Sequence, residues 1–172
     1  MTRVAVIGNG GGGKTTMCRR LSCALNIPFY PIDQIQFKPG WQPATHEEFR
    51  EKHEQILARE KWIIDGWGPR EDILRRFELA DTLIFVDHPL SIHYWWAAKR
   101  QFLSIFRGYP DGPEGCELLP VTRRMFQTIH RVHYKLRPWL IEALAAFEGR
   151  KDIVHIHSPG ELRRFLKQHG AA

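Results

Sequence analysis

A glycine-rich run followed directly by lysine and threonine is the segment of this sequence best suited to chemistry. The run consists of Gly8, Asn9, Gly10, Gly11, Gly12, Gly13, Lys14 and Thr15. It matches the pattern G-x-x-x-x-G-K-[ST], in which backbone amides surround phosphate groups, the lysine reaches the β- and γ-phosphates and the threonine hydroxyl binds Mg²⁺. The next residue, Thr16, is expected to contact the α-phosphate. The run therefore predicts a site for ATP and Mg²⁺.

The same glycines also satisfy a second pattern, the dinucleotide fingerprint G-x-G-x-x-G. Asp33 even lies near the distance at which dinucleotide sites place an acid on the ribose. A dinucleotide site, however, has no use for lysine and threonine directly after its third glycine, whereas a triphosphate site needs both. Lys14 and Thr15 therefore favour the triphosphate interpretation.

The elements around the run must position it, and their pattern indicates an α/β fold. Strands are predicted at 3–7, 29–32, 62–65, 82–87 and 152–157. Helices are predicted at 14–25, 45–60, 89–106 and 121–147, after Pro69 and from Ser158, with a bend at Pro138. Strands that alternate with helices imply a parallel sheet covered on both faces. We therefore expect one three-layer α/β/α P-loop domain over 1–172, with a five-stranded parallel sheet.

The predicted strands end on residues that suit a ligand site. These are Gly8, Asp33, Asp65, Asp87 and His157. Ligands of such sheets bind beyond the carboxyl ends of the strands, so these residues should share one edge. A carboxylate at Asp65, beside the P-loop strand, could hold a water of the Mg²⁺ ion.

Composition limits the partners and the location. The chain has 172 residues and a net charge of +6, which suits phosphorylated small molecules and nucleic acid alike. Three cysteines without a Cys-x-x-Cys pair favour reduced thiols over a disulfide framework or a zinc ribbon. No apolar stretch could span a bilayer and no signal peptide is evident, so a cytoplasmic location without membrane partners is expected.

Several further segments resemble the adenylate-kinase-like superfamily, and within it the small bacterial P-loop kinases known as DNA topology modulation proteins. The similar segments are the P-loop, 33–41, 62–66, 80–89, the pair Lys99-Arg100 and 114–116. The resemblance covers nearly the whole chain. It implies an adenylate-kinase-like phosphotransferase that uses ATP and Mg²⁺.

The resemblance also implies roles for individual residues on the nucleotide side. The position of Arg100 after Pro89 is that of the arginine that clasps the transferred phosphoryl group. Trp96, one turn earlier, stands where adenylate kinases place an arginine on the adenine, and it either stacks on the base or packs in the core. Ser158 and Pro159 follow the fifth strand, where the family binds adenine with backbone groups.

A short lid and an acceptor site complete the prediction. The lid covers about 107–120, and Arg107, Arg123 and Arg124 are its candidate charges, although each alone could be a surface charge. With one cysteine, the segment does not resemble the zinc-bearing lids of some adenylate kinases.

On the acceptor side we place Asp33, Trp41, Trp67 and Arg70. Asp33 would orient or deprotonate a small hydroxyl compound, whereas Arg70 would bind the phosphate of a nucleotide acceptor. The resemblance of 65–70 to nucleoside-monophosphate kinases favours the nucleotide. A different class of function also stays open: an ATP-binding regulatory or nucleic-acid-associated protein with weak ATPase activity.

Two weaker patterns predict little by themselves. His130 and His133 lie one helical turn apart, and His155 and His157 share one strand face, without an evident third ligand in either case. The aromatic basic helix 93–107 is predicted to be a core helix beneath the lid, although it could instead stack on single-stranded nucleic acid.

Overall fold

A five-stranded parallel sheet forms the centre of the computed structural model, which describes residues 1–109 and 112–171, without the side chain of Arg107. The strands are β1 (Arg3–Gly8), β2 (Phe29–Pro31), β3 (Phe37–Lys38), β4 (Gln42–Pro43), β5 (Trp62–Asp65), β6 (Thr82–Val86) and β7 (Asp152–Ile156). The order across the main sheet is β2-β5-β1-β6-β7, and β3 and β4 form a separate antiparallel hairpin. β1 pairs with β5 on one side and β6 on the other, which places the glycine-rich run at the middle of the sheet.

Helices cover both faces of the sheet. They are α1 (Lys14–Leu25), α2 (Asp33–Gln36), α3 (His46–Leu57), α4 (Arg70–Leu79), α5 (Leu90–Arg107), α6 (Thr122–Arg131), α7 (Arg137–Ala145) and α8 (Pro159–Gln168). No helix in the described part of the chain is long and apolar enough to cross a membrane.

Side chains of β1 alternate between the two faces of the sheet, and the core is divided into two apolar clusters. Ala5 and Ile7 point to a cluster with residues of α3, α4 and α7, whereas Val4 and Val6 point to a cluster with α1 and α8. Successive side chains of a strand face opposite sides of the sheet, so a wholly apolar strand must be covered by other elements on both faces. This arrangement confirms the predicted three-layer α/β/α fold.

The structure departs from the sequence-based elements at two places. The predicted helix 121–147 is divided, because a π-helical turn at Val132–Leu136 separates α6 from α7. Pro138 lies in the first turn of α7, directly after this π-helical turn. Helix α2 and the β3–β4 hairpin were not predicted, since elements of four and two residues are too short to show a periodic pattern.

Candidate active site

The glycine-rich run forms a tight loop between β1 and α1. Gly11 and Gly13 have φ angles of 66° and 75°, in the left-handed region that side chains avoid. A Cβ on Gly11 would also lie 2.4 Å from the carbonyl oxygen of His93. The loop therefore packs closely against α5, and its backbone amides are free of side-chain bulk.

Two residues anchor this loop from outside the motif. The Trp67 indole donates a hydrogen bond to the Gly8 carbonyl at 2.8 Å. The ring nitrogen Nδ1 of His93 lies 2.9 Å from the Gly10 carbonyl. His93 is buried, and burial lowers its pKa to about 4, so the ring is neutral and donates this hydrogen bond. Trp67, which the sequence placed on the acceptor side, thus has its polar atom on the phosphate loop, and its role toward an acceptor stays a prediction.

Asn9 fixes the loop from within. Its side-chain amide donates to the Ile129 carbonyl of α6 at 2.8 Å, and its oxygen accepts from the Gly10 amide at 2.8 Å. The Asn9 carbonyl in turn accepts a hydrogen bond of 2.7 Å from the ammonium group of Lys14. The loop is therefore preorganised by contacts with helices from distant parts of the chain.

Four charged residues meet where the loop faces the ends of β2 and β5: Lys14, Asp33, Asp65 and Arg100, which we call the charged cluster. Burial lowers the pKa of Lys14, and the carboxylates of Asp65 and Asp33 oppose that shift. Burial likewise raises the pKa of Asp33, against the opposing charges of Lys14 and Arg100. Each group thus lies within electrostatic range of its neighbours, although they come from four different elements.

Thr15 and Asp65 form the part of the site that is suited to a metal ion. The Thr15 hydroxyl donates to the Asp65 carboxylate at 2.8 Å. Asp65 is 4% exposed, and burial raises its pKa to about 6, with Lys14 opposing the shift. A hydroxyl and a carboxylate supply the hard oxygen atoms that Mg²⁺ prefers. Sequence reasoning placed both residues here, whereas Thr16 is exposed on α1.

Helix α5 brings Trp96 and Arg100 to the loop. The Trp96 ring lies against Gly13, where an added Cβ would be 2.9 Å from its Cζ3 atom. The Arg100 guanidinium lies 5.4 Å over the Tyr109 ring, and its Nη2 is 3.1 Å from the sulfur of Met125. The Nε atom of Arg100 is buried and has no hydrogen-bond partner among the described residues. Arg100 therefore keeps an unused donor within the charged cluster.

The segment that the sequence predicts to be a lid contacts the β3–β4 hairpin where its described residues meet Trp41. The Trp41 indole donates to the Glu117 carbonyl at 2.6 Å, and its backbone amide donates to the sulfur of Cys116 at 3.3 Å. The Trp41 ring also stacks on Tyr109 with centroids 6.3 Å apart. Trp41, predicted to lie on the acceptor side, thus contacts the predicted lid segment.

Three further predicted site residues are exposed, and their roles at the site stay predictions. Arg70 is exposed, and its guanidinium stacks on Trp139 of α7 at 4.9 Å. Arg123 and Arg124 are exposed on α6. The side chain of Arg107 lies outside the described residues.

Ser158 and Pro159 begin α8. The Ser158 hydroxyl accepts a hydrogen bond from the Glu161 amide at 3.2 Å, so this side chain caps the helix. A backbone contact with a base at these positions stays a prediction.

Sequence reasoning missed Arg76 and was wrong about part of α5. Arg76 is fully buried and donates to the Gly66 carbonyl at 2.9 Å, which fixes the turn after Asp65. No sequence signal distinguished it from other arginines of an amphipathic helix. On α5 the predicted core character is wrong for Trp95, Phe102 and Phe106, which are 67%, 63% and 73% exposed.

Comparison with known proteins agrees with this architecture. No protein-family model matches the chain. A shikimate kinase of Aquifex aeolicus (strain VF5) is 31% identical over 104 residues, which cover 52% of this chain and 62% of that enzyme. The match thus spans less than two thirds of the length of the curated relative.

Solved kinase structures extend the likeness to nearly the whole chain. The shikimate kinase of Acinetobacter baumannii in complex with shikimate aligns over 98% of this chain and 90% of its own, with 14% identity and a TM-score of 0.62. A sugar kinase of Janibacter sp. HTCC2649 aligns over 100% and 96%, with 18% identity and a TM-score of 0.54. A gluconokinase of Sinorhizobium meliloti 1021 aligns over 97% and 94%, with 16% identity and a TM-score of 0.51. The chain therefore has a shikimate-kinase-like P-loop kinase fold.

Proposed function

We propose that this protein transfers the terminal phosphoryl group of ATP to a small acceptor. The observation that carries the proposal is the charged cluster beside the phosphate loop. Lys14 and Arg100 supply positive charge for the phosphates, while Asp33 and Asp65 supply carboxylates on two different strand ends. Catalysis of phosphoryl transfer rests on positioning and on stabilisation of charge, and this arrangement provides both.

The residues at the loop also fit a magnesium ion. Thr15 and Asp65 would hold it, since their oxygen atoms already lie 2.8 Å apart and Asp65 is buried. When bound, Mg²⁺ neutralises part of the charge on the β- and γ-phosphates. The half-buried ammonium group of Lys14 would bind the same phosphates. It exchanges its hydrogen bond with the Asn9 carbonyl for one with phosphate oxygen, which is favoured because the new partner is charged.

The geometry supports a hydroxyl acceptor more than the nucleotide that the sequence favoured. Asp33 lies within electrostatic range of Lys14 and Arg100, whereas Arg70 is exposed and stacked on Trp139. In the reaction, the acceptor oxygen forms a bond to the γ-phosphorus as the bond from that phosphorus to the β-γ bridging oxygen breaks. Asp33 takes the hydroxyl proton, and ADP leaves. The names of the similar kinases, for shikimate, gluconate and a sugar, point to the same class of acceptor.

We also infer a place within the superfamily. The segments that resemble the DNA topology modulation proteins include 33–41 and 62–66, which contain Asp33 and Asp65 of the charged cluster. Their position at the proposed site supports membership of that subgroup.

One observation favours the regulatory or nucleic-acid-associated alternative. Trp95, Phe102 and Phe106 are exposed along α5, near the exposed Lys99. Exposed aromatic rings beside basic residues can stack on unpaired bases. A protein that only binds nucleotide would not require Asp33 and Arg100 beside Lys14 and Asp65, so we place catalysis first.

An ATP-consumption screen tests the proposal. Wild-type protein with ATP and Mg²⁺ is assayed against shikimate, gluconate, sugars, nucleosides and nucleoside monophosphates, with a reaction that lacks acceptor as the control. We expect at least one acceptor to stimulate ADP formation well above the control, and Lys14→Met to remove that stimulation. ADP formation that no acceptor stimulates, or stimulation that survives Lys14→Met, would contradict the proposal.

A further inference from the structure

Three potential metal ligands meet at the carboxyl ends of β6 and β7. Asp87 directly follows β6, and its amide donates to the Ile156 carbonyl of β7 at 2.9 Å. His155 in β7 and His157 directly after it flank Ile156, and their rings lie on the same side because side chains of an extended chain alternate. The sequence showed this histidine pair without a third ligand, and the neighbouring strand supplies one.

The three side chains are close enough to share one ion. One ligand atom from each of Asp87, His155 and His157 lies within 4.8 Å of the others. The imidazole Nε2 of His155 is 3.0 Å from Oδ2 of Asp87, and the two imidazole rings have centroids 3.8 Å apart. Both histidines are exposed, so an ion can enter from solvent and keep water as its remaining ligand.

Arg137 holds the carboxylate in place. Its Nε and Nη2 atoms donate to the two oxygens of Asp87, each at 2.7 Å. Each carboxylate oxygen has two acceptor positions, and at Oδ2 the second is used by the His155 ring, whose hydrogen bond a shared ion would replace. Such outer partners of a ligand commonly fix its orientation in metal sites. The guanidinium charge opposes a cation, which predicts moderate rather than tight affinity.

We propose that Asp87, His155 and His157 bind a zinc-type transition-metal ion. Two imidazole nitrogens and one carboxylate oxygen form a ligand set typical of three-residue zinc sites that keep a water. This site is separate from the hard oxygen pair of Thr15 and Asp65. A bound ion would connect the ends of β6 and β7, because it joins a residue of each. The proposal does not depend on the phosphoryl-transfer activity.

Calorimetry with Zn²⁺ tests this site on the full chain, with Mg²⁺ present to occupy hard oxygen sites. We expect one Zn²⁺ per chain with a dissociation constant in the micromolar range. The double variant His155→Ala/His157→Ala should weaken binding by about a hundredfold or more, since two of the three ligands are removed. The matched control, His130→Ala/His133→Ala, removes another neighbouring pair and should bind as wild type does.

A second readout places the ion on these side chains. Because both histidines are exposed, His157→Ala alone should fold normally, lower the affinity for Zn²⁺ at least tenfold and reduce the zinc-dependent rise in Tm. Zn²⁺ should also shift the imidazole NMR signals of His155 and His157 but not those of His130 and His133. The proposal is wrong if wild type binds no Zn²⁺ at about a hundred micromolar, or if the double variant binds it as tightly as wild type.

Discussion

Replacement of Asp33 by asparagine is the sharpest test of the acceptor side. Asparagine has the same shape and can still accept a hydrogen bond from the acceptor hydroxyl, but it cannot take its proton. General-base assistance contributes about a hundredfold to ten-thousandfold to a rate. Burial raises the pKa of Asp33 against the opposing charges of Lys14 and Arg100, so the carboxylate is a stronger base than a free aspartate and at least the lower end of this range applies. We expect kcat to fall about a hundredfold, or about 2.7 kcal/mol in the barrier.

Asp33→Asn should affect the binding of ATP differently from kcat. The carboxylate of Asp33 is a negative charge beside the two cations that face the phosphates, Lys14 and Arg100. Its removal leaves the pocket more positive. The dissociation constant of ATP should therefore stay the same or decrease. The acceptor KM should change little, because the hydrogen bond to the hydroxyl is kept.

Steady-state kinetics with the acceptor found by the screen, combined with calorimetry of ATP, measure both quantities. Asp152→Asn is the matched control, because Asp152 is exposed at the start of β7, on the opposite edge of the sheet. It makes the same change of charge and should leave kcat and ATP binding unaltered. A kcat for Asp33→Asn within about threefold of wild type would refute a general-base role. A tenfold loss of ATP affinity would refute its placement on the acceptor side.

The remaining predictions concern nucleotide, acceptor phosphate, nucleic acid and pH. Lys14→Met should weaken ATP binding about tenfold to two-hundredfold in calorimetry, because it removes a hydrogen bond to a charged group. Lys61→Met, on the opposite edge of the sheet, should leave ATP binding unchanged. Arg70→Ala should raise the acceptor KM only if the acceptor carries a phosphate that draws Arg70 from Trp139; an unchanged KM with a phosphorylated acceptor would contradict that role. Single-stranded and duplex DNA should bind weakly and lose affinity steeply with salt in anisotropy titrations, and tight binding at high salt would favour the regulatory alternative. Burial, followed by the charge of Arg76, lowers the pKa of His53 to about 4 from its usual value near 6.5. Between pH 6.5 and about 4, His53 is protonated in the unfolded chain but not in the folded protein. The free energy of unfolding therefore falls by up to about 3 kcal/mol as pH is lowered through this range. In urea unfolding, His53→Gln should lose less stability over the same pH range.

Local patterns in the sequence determined the fold and the centre of the site. The glycine-rich run, the apolar strands and the acids at strand ends each depend on residues close together in the chain. Parallel strands then bring their carboxyl ends to one edge without further information. For this reason Thr15 and Asp65 could be placed side by side, and the structure shows them hydrogen-bonded at 2.8 Å.

Only the tertiary structure decided which side chains pair across distant elements. Arg137 reaches Asp87 from fifty residues away, Arg70 stacks on Trp139, and Trp67 donates to the phosphate loop. The exposed aromatic face of α5 was also decided by the tertiary structure. An aromatic run in a sequence predicts a core helix, and only the packing of the neighbouring helices shows which of its side chains are exposed. Such contacts depend on the rotation and crossing of packed helices. Those are set by the whole core at once, so no local stretch of sequence contains them.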